Sequence, residues 1–588
     1  MRVNAPEDYV DLWGLEAGLS YLPGPDAAGA LNLDQNRRPQ NEPAVAVNPS
    51  DNSKYVGSAN DYNLGAPIGT GTYAHIAGSA TQLGPQFVVT GFPPSSLLTG
   101  TGPSSPLASP YRFLIEVPFG TGDPSLAYGK SRVLPGRPPV VYLASLGFSF
   151  SFCENGVFVY ASYNNGLTWT RPIPPGLGGP RYVVVYEDNA LNCSVFHDKE
   201  WITVDNTGGP HDGRVYVTWT RFEFGNGVYK RSPIMLAWSD DDGQTWKGPF
   251  EISGFSPQLC PEQVTGPPGA CDEDQFSVPV VASDGTLYVQ FFNQQAKGAA
   301  AQGFRDQILV VHVDPDKLEQ GMAGAIEGPY RAVFPVYDGL NDYPIQAAGT
   351  GSRQTLCNSN FRVNSAGNLA IGPAGTGGAP PNVQPLYIVF SDNRQHKDEF
   401  PFPTRVVQTS GAPRPAFECP AGKQTNVDIF LVKSIDGGKT WTEPIRVNQD
   451  TKGNNVDQWF PWVTVDSSGA VYVIYYDRRD SANFLQGKRA NGIVTSTLIS
   501  RPNHLAEVFL AKSTDGGQSW TESLLSQTPS NLDDAFFGRG VFIGDYINVA
   551  VSGGLVYGLW TGVAASVSGN VFKSLRTDSD IFIFVGPA

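Results

Sequence analysis

Ser434-Ile435-Asp436-Gly437-Gly438-Lys439-Thr440-Trp441 reads S-x-D-x-G-x-T-W, and the chain repeats this pattern. Ser239-Asp240-Asp241-Asp242-Gly243-Gln244-Thr245-Trp246 is a second full copy. Ser513-Thr514-Asp515-Gly516-Gly517-Gln518-Ser519-Trp520 carries Ser for Thr, and Ser162-Tyr163-Asn164-Asn165-Gly166-Leu167-Thr168-Trp169 carries Asn for Asp. An apolar run precedes each copy (Ile429 to Val432, Met235 to Trp238, Val508 to Leu510, Val157 to Tyr160), and a short polar segment follows. The pattern is strand, tight turn, strand. An Asp or Asn side chain accepts nearby backbone N–H groups and closes such a turn. Gly takes a positive φ at little cost. The Ser and Thr hydroxyls bond locally, and Trp offers a broad apolar face to a neighbouring hairpin.

A repeat of this kind decides the fold before any single residue does. The octapeptides resemble the Asp-box of the sialidase-like (BNR-repeat) β-propellers. The resemblance implies an all-β fold, a single β-propeller of four-stranded antiparallel blades. Between the octapeptides runs a second repeat: a strand, a Gly/Asn/Asp turn, and a strand ending in polar residues. Examples are Glu42 to Asp61, Asp198 to Arg221, Asp457 to Asp477 and Gly544 to Trp560. Seven such units predict seven blades. Six is the alternative if the first two units form one elaborate blade, and six is the number in sialidases. The last unit has no octapeptide and ends in Asp580-Ile581-Phe582-Ile583-Phe584-Val585, so it lacks a fourth strand. Residues 1–40 are expected to supply that strand, which would remove an exposed edge. Residues 41–588 are expected to form the propeller.

Composition fits many short strands joined by turns: of 588 residues, 66 are Gly and 48 Pro, while 16% are charged. The net charge of −15 argues against nucleic acid as a partner, since phosphate binding needs a basic footprint. No run approaches the roughly 18 apolar residues of a membrane span. Met1-Arg2-Val3-Asn4-Ala5-Pro6 lacks an apolar stretch, so no signal peptide is expected in the chain as written. Cys153, Cys193, Cys260, Cys271, Cys357 and Cys419 form an even set without zinc spacing. Disulfides and an extracellular or periplasmic location are the expectation.

Strand direction sorts the residues by face. If strands run antiparallel from the inside of a blade outward, the start of the first strand and the end of the second share one face. The octapeptides, between third and fourth strands, lie on the other. The cysteines fall in loops of the first face, which predicts pairs 153–193, 260–271 and 357–419. The ends of the inner strands on that face are unusually polar. They include Glu42, Asp123, Asp198, Lys199, Glu200, Asp274, Asp457 and Asp545.

Such a set points to carbohydrate. Paired carboxylates serve as acid and as base or nucleophile at a glycosidic bond. Arg holds a sugar carboxylate bidentately. The resemblance implies an Arg triad for the substrate carboxylate, a Tyr–Glu nucleophile and an Asp acid/base. Candidate catalytic residues are therefore Asp198, Glu200, Asp274, Asp457 and Tyr476, with Tyr546 as a second tyrosine. Candidate substrate-binding residues are Arg221, Arg394, Arg478, Arg479, Trp201 and Trp459. Gln40-Asn41-Glu42-Pro43-Ala44-Val45 departs from the Arg-containing first strand of sialidases. No cofactor is required by this chemistry, though the Asp and Asn residues near the axis leave room for a structural Ca²⁺. The leading reading is a secreted glycoside hydrolase. One alternative is a propeller that binds glycan or protein, or joins a surface assembly, without catalysis. Another is a lyase on uronate-containing polysaccharide, using His197, Arg221 and a Tyr.

Overall fold

The computed structural model describes residues 40–62, 68–75, 87–89, 120–148, 153–170, 181–188, 193–261, 269–294, 306–337, 356, 359, 361–395, 405–407, 416–418, 425–479, 505–526, 529–532, 535–537, 540–563 and 579–588. Residues 1–39, expected to complete the last blade, lie outside these, as do Cys357 and Cys419.

Each unit begins with an inner strand, and consecutive strands pair antiparallel outward. The inner strands of the first four sheets are Gln40–Val47, Gly120–Gly129, Val195–Val204 and Asp274–Val281. Those of the fifth and sixth are Leu369–Ile371 and Gln458–Val465. These six sheets hold four or more strands each, and they are the full blades. The seventh unit is a sheet of three strands, Asn548–Ser552, Leu555–Val563 and Ser579–Pro587. The expectation of seven four-stranded blades is thus corrected to six. The reason is that no fourth strand pairs with Ser579–Pro587 among the described residues.

The three-stranded sheet packs between the sixth and first blades. On one side Val549, Val556 and Trp560 meet Trp462 and Ile474 of blade six. On the other, Tyr557, Leu559 and Ile583 meet Val45, Tyr55 and Ala59 of blade one. Val45 N donates to Asn548 Oδ1 at 3.2 Å, across 503 residues of sequence. Similar apolar clusters join the remaining neighbours, for example Tyr142, Val157 and Val159 of blade two with Val217 and Trp219 of blade three. Strands such as Val140–Phe148 are buried along their whole length. Sheets stacked on both faces need such continuous apolar runs, and burial of these residues is the main source of stability.

All four octapeptides form one turn. The first Ser accepts from the backbone N–H of the Gly four residues on, at 2.8 Å for Ser162, Ser434 and Ser513 and 2.9 Å for Ser239. Asp241, Asp436, Asp515 and Asn164 each accept the backbone N–H four residues on, at 2.8–3.0 Å. The Thr or Ser hydroxyl donates to the second oxygen of each Asp. At Asn164 the direction reverses, and its amide donates to Thr168 Oγ1. Every turn lies between a third and a fourth strand, at the end opposite the start of the inner strands. Gly438 has φ +77°, and a Cβ there would sit 3.0 Å from His312 Nε2 and 3.2 Å from Leu386 Cδ1. Gly438→Ala is therefore expected to cost about 1–3 kcal/mol, from backbone strain and crowding, measured as a lower urea midpoint. Any activity per folded molecule should stay at the wild-type value, because the turn is far from the opposite face.

Cys153–Cys193 ties the third strand of blade two to the entry of blade three, and Cys260–Cys271 closes the connection between blades three and four. Both pairs are those expected from strand direction.

Candidate functional site

The inner strands carry the same defect at the same place. In five of them, two residues oppose one on the second strand. The first of the two has a positive φ: Glu42 55°, Asp123 54°, Lys199 55°, Phe276 57° and Phe460 51°. This is a β-bulge, which bends the strand and re-aims its side chains. Non-glycine residues hold such a conformation only where the surroundings enforce it. The second position is Pro43, Pro124, Glu200, Ser277 and Pro461. Proline suits it, having no N–H to lose from the ladder. Blade three places a carboxyl there.

The bulges converge on a central cleft with about 440 Å³ of empty space, part of it open to solvent. Asp123, Lys199, Glu200, Phe276, Ser277, Phe460 and Pro461 line it, with Trp201, Val278 and Trp462 beside them. Asn364, Ala366 and Gly367, ahead of the inner strand of blade five, and Asp545 and Tyr546, ahead of the last sheet, complete the wall. The Trp201 and Trp462 rings lie 4.5 Å apart, with Tyr546 edge-on to Trp201 at 5.4 Å.

Lys199 is the electrostatic hub. Its Nζ lies 3.0 Å from Glu42 Oε1, 2.9 Å from Asp123 Oδ2 and 2.9 Å from Asp545 Oδ2. An ammonium has three donors, and here each faces a carboxyl from a different unit of the ring. Arg362 Nε donates to Asp545 Oδ1 at 2.7 Å, and its Nη2 to Asp545 Oδ2. Burial opposes ionisation of Asp545, but Arg362 and Lys199 outweigh it and hold its carboxyl down at about 2. Asp123 is half-buried, which opposes ionisation, yet Lys199 keeps it below the usual range. Burial would discharge Lys199, but the surrounding carboxylates hold it firmly protonated.

Three carboxyls go the other way. Burial, then the neighbouring Asp123, pushes Glu42 well up. Burial, then Asp123, pushes Asp198 up to about 7. Glu200 is 1% exposed, and burial followed by the charge on Asp123 raises it well above the carboxylate range. Neither Glu200 oxygen has a side-chain hydrogen-bond partner among the described residues. The site therefore sets an uncommitted carboxyl, whose proton is held more tightly than usual, beside a carboxyl held below the usual range. Groups shifted in opposite directions within one cleft are a frequent mark of a reactive site.

Of the residues expected from sequence, the cleft gathers Glu200, Trp201 and Tyr546, while Asp198, outside its lining, accepts from Gln275 Nε2 at 3.2 Å. The others stand elsewhere. Asp274 accepts from Asn293 Nδ2 at 2.6 Å, and Asp457 accepts from Thr425 Oγ1 and Val427 N at 2.7 and 3.0 Å. Tyr476 donates to Thr561 O at 2.6 Å and stacks on the buried Trp459. Arg394 and Arg479 pair with Asp392 and Asp477, two residues before each, and Arg479 also bonds Glu522. Arg478 is buried against Trp459 and Phe361 and donates to Ser359 Oγ at 2.9 Å. Arg221 lies 3.5 Å from Glu223. His197 is buried, its Nδ1 accepting the Trp219 indole N–H at 2.8 Å and its Nε2 lying 3.6 Å from Glu187. None of these lines the cleft.

Sequence reasoning assigned no role to Lys199 or Asp545 and passed over Arg362. The signal was present: aligning the inner strands sets Lys199 and Glu200 against Glu42-Pro43, Asp123-Pro124 and Phe460-Pro461. A Pro within an inner strand marks a bulge.

Among the described residues, no group of three or more His, Cys, Asp or Glu is arranged to hold a metal ion, and no helix is long and apolar enough to cross a membrane.

The shifted carboxyls set a pH dependence of stability. Asp198, at about 7, and Asp477, raised by burial to about 6, bind protons more tightly folded than unfolded. Their contribution is fully present below about pH 4 and is lost as pH rises through 6 to 7. Asp123 and Asp545 act oppositely, and their contribution is lost only as pH falls below about 4. The melting temperature is expected to fall from pH 5 to pH 8, and Asp198→Asn to flatten part of that slope. A melting temperature that rises over this interval would contradict the assignment.

No family profile matches this chain, and no curated protein matches its sequence. Solved structures match this chain at low similarity. An ulvan lyase, described as a new family of polysaccharide lyase, is 9% identical over 93% of this chain and 94% of its own, with a TM-score of 0.41. The α-L-arabinofuranosidase of Fusarium graminearum, solved with arabinobiose, is 9% identical over 75% and 89%, with a TM-score of 0.37. A Hadza microbial sialidase is 13% identical over 86% and 73%, with a TM-score of 0.36.

Proposed function

We propose that this chain is a secreted glycoside hydrolase working in the central cleft. The carrying observation is Glu200, a buried, proton-holding carboxyl without a committed partner, set beside ionised Asp123 in an aromatic-walled cleft. Glu200 gives its proton to the glycosidic oxygen as the bond to the anomeric carbon breaks. Asp123 faces the positive charge that develops there. Water then adds to that carbon, and its proton restores Glu200. This is the division of labour between two carboxyls that glycoside hydrolysis requires. Trp201, partly exposed and backed by the buried Trp462, offers a face on which a sugar ring can stack. The two disulfides support an oxidising compartment.

One observation favours a non-catalytic glycan-binding reading: all three donors of Lys199 are spent inside the protein, as in a structural hub. The two readings separate by turnover. A panel of polysaccharides and aryl glycosides should yield new reducing ends without the unsaturated product of a lyase. Binding without any bond cleavage across the panel would favour the second reading, and unsaturated products would favour the lyase.

A further inference from the structure

We infer that the cleft takes an uncharged sugar ring, and that it discriminates against sialic acid and uronates. This rests on the reading of the cleft as a glycan site. Recognition of a sugar carboxylate needs a cation with free donors, most often Arg in bidentate contact. The two cations at this site are already engaged. Lys199 gives one donor each to Glu42, Asp123 and Asp545. Arg362 grips Asp545 through Nε and Nη2 and is not among the residues that line the cleft.

Five carboxyls, those of Glu42, Asp123, Asp198, Glu200 and Asp545, surround these two cations. With Asp123 and Asp545 ionised, the positive charge is balanced, and any ionisation of Asp198 makes the site net negative. A substrate carboxylate entering here would be desolvated beside like charge with no compensating partner, which costs more than the contact returns. The overall charge of −15 adds to that field.

A neutral ring meets none of this. Its hydroxyls can donate to the spare lone pairs of Asp123 and Asp545. Its C–H face can stack on Trp201, which is only partly buried and lines the cleft.

Matched ligands test this directly. Methyl glucoside, methyl galactoside and methyl xyloside would be titrated against methyl glucuronide, methyl galacturonide and a methyl sialoside, by saturation-transfer NMR on the full chain. Trp201→Ala serves as the control that binding is in the cleft. The expected result is preference for the neutral member of each pair by at least about tenfold, since like-charge juxtaposition is costly. The preference should shrink in Asp198→Asn, which removes one ionisable carboxyl and leaves Lys199 and its three partners in place. Equal or tighter binding of the uronate or sialoside would overturn the inference while leaving the glycan reading intact. If no sugar of either class gives a signal that Trp201→Ala removes, the glycan reading fails and the inference with it.

Discussion

Glu200→Gln is expected to lower turnover by about 10²–10⁴-fold, the usual range for loss of a positioned acid, while leaving the fold unchanged. Gln is close to Glu in shape but has no proton of the right acidity to give the leaving oxygen. The loss should appear in kcat more than in KM, because the proton moves only in the transition state. Stability should hold or rise. Glu200 is buried without a side-chain hydrogen-bond partner among the described residues, so the carboxyl adds nothing that an amide removes. A substrate with a good leaving group needs less protonation, so aryl glycosides should lose less activity than natural linkages. A variant that turns over natural linkages at the wild-type rate would remove Glu200 from the mechanism.

Lys199→Met is expected to destabilise the protein by about 3–5 kcal/mol, the cost of stripping one partner from a buried ion cluster. The ammonium is 7% exposed and faces carboxyls of blade one, blade two and the segment ahead of the last sheet. Its removal leaves Asp123 without its cation and Asp545 with Arg362 alone. Both would take up protons well above their present values, and the site would lose its ionised carboxylate. Activity per folded molecule should therefore fall as well. Lys130 pairs with Asp212 but is 67% exposed, so Lys130→Met should cost only about 0–1 kcal/mol. The urea midpoints of the two variants give the comparison. A Lys199→Met midpoint no lower than that of Lys130→Met would show that the hub holds nothing together.

The octapeptides were legible because each turn is closed by atoms no more than four residues apart, so eight residues contain the whole structure. The two disulfides, spanning 40 and 11 residues, and the face assignment follow instead from alternation of strand direction. Short-range closure does account for the arginines. In Asp392-Asn393-Arg394 and Asp477-Arg478-Arg479, the last Arg backbone N–H donates to the Asp at 2.6 Å, and the guanidinium folds back onto the same carboxylate. That is an Asx-type turn readable from an Asp–x–Arg spacing. Read one residue at a time, the same arginines look like a substrate clamp.

The cleft was not legible in that way. Glu42, Asp123, Lys199 and Asp545 come from four units spread over 503 residues, counted from Glu42 to Asp545, and meet only when the ring closes. Their protonation is set by each other. Glu200 and Asp123 carry the same functional group in neighbouring strands, and burial of the one against direct contact of the other with Lys199 drives them apart. Burial is a property of the closed ring, so residue type alone could not separate the roles.

The central claim is that Glu200 holds a proton at neutral pH beside ionised carboxylates. Difference infrared spectroscopy of wild type against Glu200→Gln, at pH 7, measures this most directly. The account predicts a protonated-carboxyl C=O stretch in wild type that is missing from the variant. A carboxylate band lost in its place would mean that Glu200 is ionised, and the acid role would be contradicted.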